Sequence, residues 1–182
     1  PTAEIYRLAV DNHFPYRIYG SQQDNSTLCL PSRTERGPIS QMDWYDIGGG
    51  ESGIIAVRAD NSNIVFSSDL PGLGVTRYDH STFQIREVGP WADPTGWHVK
   101  TLKYRFNWAV PVVLSPHDPN ILYVAGNVVF RSHDDGQSWD TISPDLTRND
   151  PSKMIPSGGP VMREDSSADQ YGNITSIAES YY

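Results

Sequence analysis

Two carboxylate residues stand in loop-like sequence where they could take part in acid–base chemistry. Asp24 lies in the polar run Gln-Gln-Asp-Asn, and Glu51 follows three consecutive glycines. Glycine-flanked carboxylates can be brought close to a ligand, because glycine accepts backbone angles that other residues resist. Cleavage of a glycosidic bond needs two facing carboxyl groups, one protonated and one ionised. Asp24 and Glu51 are therefore the candidate catalytic pair, if the chain is an enzyme. The alternative is that Asp24 satisfies a turn and Glu51 is solvated.

Other reaction chemistries find no support in the sequence. Cys29 is the single cysteine, so an internal disulfide cannot form. The histidines, aspartates and glutamates do not show metal-ligand spacing. Neither a serine nucleophile elbow nor a phosphate-binding loop is present. We therefore predict no metal and no cofactor.

Charge and hydropathy restrict the classes of partner. The chain has 22 acidic and 14 basic residues, which gives a formal net charge of −8 at pH 7. This charge disfavours binding to nucleic acid. No apolar run approaches the roughly 18 residues that a membrane-spanning helix needs. The sequence therefore predicts neither a nucleic-acid partner nor a membrane span.

The elements that would position these residues are short β-strands. No helix-length stretch shows a 3.6-residue apolar period, whereas 15 glycines and 14 prolines indicate many turns. Short apolar runs bounded by turn residues are typical of strands. The predicted strands cover residues 5–10, 16–19, 26–30, 43–47, 53–57, 64–66, 75–78, 82–88, 110–114, 121–124, 128–130 and 139–142, with a further one at 171–178.

The most specific local pattern is Ser132-His-Asp-Asp-Gly-Gln-Ser-Trp139, which lies between two predicted strands. Its central Asp-Gly is a hairpin signal. Asp134 can accept hydrogen bonds from N–H groups of its own turn, and Gly136 can take a backbone angle that a Cβ would resist. Trp139 stands where the next strand begins, so we expect its ring to pack inward. The pattern predicts a self-satisfied structural turn and not a catalytic one.

The predicted strands recur in rounds. Residues 43–47 (Asp-Trp-Tyr-Asp-Ile) align with residues 138–142 (Ser-Trp-Asp-Thr-Ile), and both tryptophans are predicted core residues. A repeated four-stranded unit of this length is typical of a β-propeller blade. We predict an all-β fold, a partial β-propeller of about three four-stranded antiparallel blades plus the start of another. The chain would be a single segment, 1–182, with blades at roughly 3–47, 53–88 and 109–147 and the next beginning at 171–182.

The stretch Arg131-Ser-His-Asp-Asp-Gly-Gln-Ser-Trp139 resembles the Asp-box, the bacterial neuraminidase repeat, with serine where threonine is usual at position 138. The resemblance assigns structural roles in the turn to Ser132, Asp134, Gly136, Ser138 and Trp139. Nearly the whole chain is also similar to large bacterial proteins described as sortilin-like or glycosyl-hydrolase-like propellers. The phrases that carry this likeness are Tyr16-Arg-Ile-Tyr-Gly-Ser-Gln-Gln-Asp-Asn25, Asp43-Trp-Tyr-Asp-Ile-Gly-Gly-Gly-Glu51, Ser115-Pro-His-Asp-Pro119 and Ile142-Ser-Pro-Asp-Leu-Thr-Arg-Asn-Asp150.

The resemblance implies a secreted or periplasmic propeller segment directed at glycans. It would bind polysaccharide, or hydrolyse it with paired carboxylates. One face of such a propeller would gather loops rich in carboxylates, amides and aromatics, which is the composition of a sugar-binding cleft. Beside Asp24 and Glu51, the residues expected to contact a ligand on that face are Gln22, Gln23, Asn25, Asp69, Arg105 and Trp108.

Two other functions stay open at this point. The propeller could bind protein or peptide, as sortilin-type receptors do, or it could be a structural segment of a larger assembly. Three blades cannot bring their ends together, so the apolar faces of the first and last blades would meet water. We therefore expect another polypeptide, a second copy or the rest of a longer parent protein, to cover the faces near residues 5–10 and 174–178.

Overall fold

The computed structural model describes residues 3–68, 74–92, 97–155 and 170–182. Within these ranges the chain forms three four-stranded antiparallel sheets and no α-helix. The predicted all-β class and the three four-stranded sheets are therefore confirmed. Asp69, one of the predicted ligand-binding residues, lies outside the described residues.

Each sheet is built from four strands that are consecutive in the sequence. Sheet 1 has the order β1 (Ile5–Val10), β2 (Arg17–Gln22), β3 (Thr27–Pro31) and β4 (Tyr45–Asp46). Sheet 2 has the order β5 (Ile55–Val57), β6 (Ile64–Ser68), β7 (Val75–Asp79) and β8 (Gln84–Glu87). Sheet 3 has the order β9 (Val112–Leu114), β10 (Leu122–Ala125), β11 (Val129–Ser132) and β12 (Asp140–Thr141). A short 3-10 helix, Val99–Thr101, lies in the connection from β8 to β9.

Sheet 2 is the middle layer, and its strand β6 is buried along its whole length. Successive side chains of a strand point to opposite faces, so β6 can supply side chains to two cores at once. Val65 packs in the core between sheets 1 and 2, together with Tyr19 and Tyr78. Phe66 packs in the core between sheets 2 and 3, together with Val124 and Phe130.

The first strands of the three sheets are neighbours. Strand β1 contacts β5, and β5 in turn contacts β9. Because each sheet begins at this shared row of strands, the sheets fan out side by side from it in the order of the sequence. Because sheet 2 lies between the other two, sheets 1 and 3 each have one face turned away from it.

Strict antiparallel order divides the connections between two ends of the sheets. The hairpin end holds the connections that leave odd-numbered strands, among them the turn of residues 132–139. The crossover end holds the connections that leave even-numbered strands, including the passages from β4 to β5 and from β8 to β9. Predicted ligand residues 22–25, Glu51, Arg105 and Trp108 all lie toward the crossover end.

A buried ion pair at the hairpin end joins sheet 1 to sheet 2. The Arg17 Nε donates to Asp11 Oδ2 at 2.6 Å, and these side chains are 10% and 1% exposed. Tyr19 Oη also donates to Asp11 Oδ2, at 3.0 Å. Arg17 Nη2 then crosses to the β5–β6 turn and donates to the carbonyl of Ser62 at 2.9 Å. Burial raises the pKa of the Asp11 carboxyl, but the hydrogen bonds from Arg17 and Tyr19 outweigh it and hold the pKa below its usual value.

The turn of residues 132–139 satisfies its own polar groups, as its sequence predicts. Asp134 Oδ1 accepts from the Ser138 N–H at 2.8 Å, and Oδ2 accepts from the Ser138 hydroxyl at 2.6 Å. Gly136 has φ +81°, in the left-handed region. The indole N–H of Trp139 donates to the carbonyl of Val88 at 2.9 Å, so the turn is also tied to the end of sheet 2.

Two tryptophans and one predicted strand differ from the sequence-based expectation. Trp139 packs against the core between sheets 2 and 3 but is half-buried, since its N–H reaches backbone carbonyls at the rim of that core. Trp44 is 41% exposed and is not a core residue. Residues 171–178 do not form a strand, although Ile174 N–H donates to the carbonyl of Gly126 at 2.8 Å. A strand needs a paired neighbour, and no described segment pairs with this one.

Removal of the buried carboxylate in Asp11→Ala should lower the free energy of unfolding by about 3–5 kcal/mol, because it leaves Arg17 buried without its partner. The pKa of Asp11 is held low, so this contribution is present at neutral pH and is lost as the pH falls below about 4. Chemical denaturation at pH 7 measures the loss. Arg36→Ala removes an ion-pair side chain that is 73% exposed and should leave the stability nearly unchanged. Equal effects of the two substitutions would contradict the assigned role of Asp11.

Asp134→Ala should lower the unfolding temperature at pH 7, because the Ser138 N–H and hydroxyl lose their acceptor. Hydrogen bonds from the Ser138 hydroxyl and backbone N–H and from Ser132 lower the pKa of Asp134 to about 2. The difference between parent and variant should therefore shrink as the pH falls from about 4 toward 2. Thermal unfolding followed by circular dichroism tests both points. The control is Asp140→Ala, an exposed aspartate of β12, and a pH-independent difference would rule out the Asp134 carboxylate as the cause.

Candidate functional site

The two loops that carry the candidate catalytic carboxylates meet at the crossover end. Glu51 Oε2 accepts a hydrogen bond from the backbone N–H of Asp24 at 2.8 Å. Asp24 has φ +55°, in the left-handed region, and its side chain is exposed. The structure thus reverses the alternative roles considered from the sequence, since Glu51 satisfies the turn and the Asp24 carboxylate is the exposed one.

The glycines before Glu51 serve a close approach between sheets 1 and 2. Gly48 and Gly49 have φ +76° and +74°, and a Cβ on Gly49 would clash with the side chain of Ser67 in β6. The hydroxyl of Thr27, in β3, donates to the carbonyl of Gly50 at 3.0 Å. The glycines therefore let the β4–β5 connection pass between the two sheets, and this passage fixes the position of Glu51 beside the Asp24 turn.

The loop that carries Glu51 also contacts the connection that carries Trp108. The Ser52 side chain, one residue after Glu51, donates to the backbone carbonyl of Trp108 at 3.1 Å. The side chain of Trp108 is half-buried. Three connections thus converge at the crossover end, with Asp24 in the first, Glu51 in the second and Trp108 in the third.

The remaining predicted residues of the first loop differ in their exposure. Gln22 ends β2 and is half-buried, and Gln23 is also half-buried, with its backbone N–H donating to the carbonyl of Glu4 at 3.0 Å. Asn25 is exposed, and its Oδ1 accepts from the N–H of Ser26 at 3.1 Å. The loop therefore presents its carboxylate and amide groups at positions 24 and 25 to solvent.

Arg105 holds the chain together elsewhere in the crossover end. The residue is 4% exposed, and its guanidinium donates to Asp145 at 2.8 Å and to the carbonyl of Gly172 at 3.1 Å. Burial raises the pKa of Asp145, but hydrogen bonds from Thr147, Asn127 and Arg105 bring it well below the usual value. Arg105 thus ties the β8–β9 connection to the chain that follows β12, and its predicted contact with a ligand stays a prediction.

Sequence reasoning missed a charged cluster at the hairpin end. Asp135, beside the predicted turn residue Asp134, accepts from Arg58 at 2.7 Å and from Arg77 at 3.0 Å. Both arginines belong to the second sheet, whereas Asp135 belongs to the third. Arg58 and Arg77 precede Asp135 by 77 and 58 positions in the sequence, so no local pattern indicates the pairing.

The exposed Asp24 carboxylate, the Asn25 amide and the half-buried Trp108 ring are groups that can hydrogen-bond sugar hydroxyls or pack against a sugar ring. Among the described residues there is no group of three or more histidines, cysteines and acidic residues that could hold a metal ion. Those residues also contain no helix with the length and apolar character that a bilayer span requires.

No protein-family model matches the chain, and no curated protein is significantly similar to it.

Glu51→Ala should increase the hydrogen-exchange rate of the Asp24 amide, because that N–H loses its acceptor. Glu51→Gln keeps an oxygen acceptor at the same place and should preserve the protection. Exchange of the individual amides, followed by NMR, gives the two rates. If the Asp24 amide exchanges equally fast in the parent and in both variants, Glu51 does not position the turn.

Proposed function

We propose that this chain is a segment of an Asp-box-type β-propeller that acts outside the cytoplasm, secreted or periplasmic, and binds glycan at its crossover end. The observation that carries the glycan site is the 2.8 Å hydrogen bond from the Asp24 N–H to Glu51. This contact brings the loop of residues 22–25 to the loop that ends at Glu51. The bond from Ser52 to the Trp108 carbonyl then adds an aromatic residue to the same region.

The arrangement of the sheets supports the propeller part of the proposal. In a propeller, four-stranded antiparallel blades follow one another around a central axis and begin at the inner strand. The three sheets here follow one another in sequence order, and their first strands β1, β5 and β9 are neighbours. The self-satisfied turn of residues 132–139 also has the residues of an Asp-box, which supports the same family of folds.

Binding is favoured over hydrolysis by the position of Glu51. A glycosidase of the usual kind has two carboxyl groups facing the bond that is cleaved. Here one oxygen of Glu51 accepts a hydrogen bond from the Asp24 backbone, whereas the Asp24 carboxylate faces solvent. An ionised carboxylate beside an exposed amide can accept from sugar hydroxyls without a partner carboxyl. We therefore assign Asp24 to ligand binding and Glu51 to positioning the Asp24 loop.

A second candidate function, binding of another polypeptide, is favoured by exposed aliphatic residues of β1. Leu8 is 72% exposed and Val10 is 61% exposed, although both belong to a strand of a four-stranded sheet. Exposed apolar patches on soluble proteins often mark protein contacts. Such a contact would lie on a sheet face, apart from the loops of the crossover end, so the two functions can coexist.

Asp24→Asn and Trp108→Ala should each weaken binding to a soluble polysaccharide by about tenfold or more, because each removes a contact worth roughly 1.4 kcal/mol or more. Affinity electrophoresis in gels that contain a panel of neutral and acidic polysaccharides finds the ligand and compares the variants. Glu51→Gln should bind like the parent protein, since the glutamine oxygen can still accept from the Asp24 N–H.

The matched control is Asp140→Asn, the same chemical change at an exposed aspartate in β12. This variant should bind as the parent does. If none of the polysaccharides retards the parent protein, the glycan proposal is wrong. Retardation that is unaffected by Asp24→Asn and Trp108→Ala would place the glycan site outside the crossover loops.

A further inference from the structure

The open face of sheet 1 is aliphatic. Strand pairing puts Leu8, Gly20 and Leu28 in one row across this face and Val10, Ile18 and Leu30 in the next. Ile5 belongs to the same face, because a Cβ placed on Gly20 would lie 3.2 Å from its side chain. We call this the back face, and it is turned away from sheet 2, which packs on the opposite side through Tyr19 and Cys29. The back face therefore presents a set of aliphatic side chains on the side of sheet 1 that sheet 2 does not cover.

The open face of sheet 3 carries a groove. Val113, Tyr123 and Arg131 form one row across β9, β10 and β11, on the side turned away from sheet 2. Residues 177–179 lie against this side, and between them and the sheet is a groove of about 310 Å³, lined by Val113, Tyr123, Val129, Ile177, Ala178 and Glu179. We call this the forward face. A groove of this volume is large enough to receive aliphatic side chains from another surface.

Each of the first two sheets sends an arginine from its forward side to a turn of the next sheet. Arg17 of sheet 1 donates to the Ser62 carbonyl in the β5–β6 turn at 2.9 Å. Arg58, which follows β5 of sheet 2, donates to Asn120 in the β9–β10 turn at 3.1 Å. The chain thus repeats one mode of junction, with an apolar core between two sheets and an arginine that reaches an oxygen at the hairpin end.

Arg131 in β11 has the position that Arg77 has in β7, since each pairs with an aromatic residue of the second strand of its sheet. Arg77 Nε donates to Asp135 in the β11–β12 turn of the next sheet at 3.0 Å, whereas Arg131 lacks such a contact. Its Nε is buried and finds no hydrogen-bond partner in the part of the chain that the structure describes. A buried donor without a partner is costly, so native structures normally pair it. The junction that satisfies the first two sheets is therefore incomplete at the third, where an oxygen acceptor on a following sheet would complete it.

We infer that the forward face of sheet 3 binds the back face of sheet 1 of a second copy of this chain. Aliphatic side chains of the back face, Leu8 foremost, would enter the groove, and Arg131 would reach an oxygen of the turn between β3 and β4 of the second copy. That turn corresponds to the β11–β12 turn of sheet 3, where Asp135 receives Arg77. A head-to-tail contact of this kind has different surfaces on its two sides and closes when the rotation allows it.

Two copies would bring six sheets together, a number within the range of known propellers. The two contacts of such a ring are equivalent, and each covers one back face and one forward face. The inference rests on the propeller arrangement of the proposed function but is independent of glycan binding, which is assigned to loops of the crossover end.

Sedimentation velocity and light scattering of the purified chain should show a reversible dimer with twice the 20.3 kDa mass of one chain. Leu8→Asp, on the back face, and Arg131→Glu, on the forward face, should each raise the apparent dissociation constant by about tenfold or more. The matched control is Phe83→Asp in the β7–β8 turn, because Phe83 and Leu8 are both 72% exposed. Phe83→Asp should leave the dimer intact, and near-ultraviolet circular dichroism checks that all variants are folded.

A mixing experiment tests the head-to-tail geometry. The Leu8→Asp variant keeps a functional forward face, and the Arg131→Glu variant keeps a functional back face. An equimolar mixture should therefore form a heterodimer through one intact contact, more tightly than either variant forms a dimer alone. In a dimer built from two back faces, Arg131→Glu would have no effect and mixing would give no gain.

The outcomes separate this inference from the proposed function. A folded monomer at all accessible concentrations would overturn the inference, as would a dimer that Arg131→Glu does not weaken. Glycan retardation of the monomeric variants would then still support the glycan site. A dimer that follows the expected pattern but binds no polysaccharide would leave the inference standing and remove the glycan proposal.

Discussion

The relative placement of the three sheets depends on guanidinium groups that leave one sheet and end on the next. Arg17 is almost wholly buried. Its Nε donates to Asp11 at 2.6 Å, and its Nη2 donates to the Ser62 carbonyl in the following sheet. A buried charge is tolerated only when it is paired and hydrogen-bonded, so these contacts permit few alternative positions for the neighbouring turn. Asp135 has the same role one junction later, where two arginines of sheet 2 converge on it. The apolar cores supply the attraction between sheets, and the arginine contacts fix the position of each sheet relative to the next.

The geometry at the crossover end follows from this spacing of the sheets. With sheets 1 and 2 held close, the connection between them has room only for glycine at positions 48 and 49, where an added Cβ would clash with sheet 2. The position of Glu51 is then a consequence of packing, and its carboxylate orders the neighbouring loop through the Asp24 N–H. In this ordered loop Asp24 adopts a left-handed backbone angle, which aspartate tolerates better than most residues. The candidate site is thus built on the constraint that joins the sheets.

The sequence predicts the strands well because short apolar runs between turn residues are a local signal. All twelve strands of the described chain overlap their predicted positions, and the alignment of residues 43–47 with 138–142 correctly pairs β4 with β12 as the last strands of their sheets. The same alignment does not predict burial, since Trp44 is 41% exposed while Trp139 is half-buried. Burial and ion pairing depend on which sheet faces which, and that information is not local. Arg105 shows the limit for the site, because its acceptors lie 40 and 67 positions later in the chain.

The two sides of the molecule differ in a way that follows from the order of the sheets. Sheet 2 is covered on both faces, so β6 is buried along its whole length. Within residues 3–68, 74–92, 97–155 and 170–182, sheets 1 and 3 each have one face that no other sheet covers, yet these faces keep the features of a junction. Sheet 1 keeps aliphatic residues there, and sheet 3 keeps Arg131, whose counterpart in sheet 2, Arg77, has its acceptor in the next sheet. Polar residues would have sufficed on faces meant for water, which argues that both faces are built to be covered.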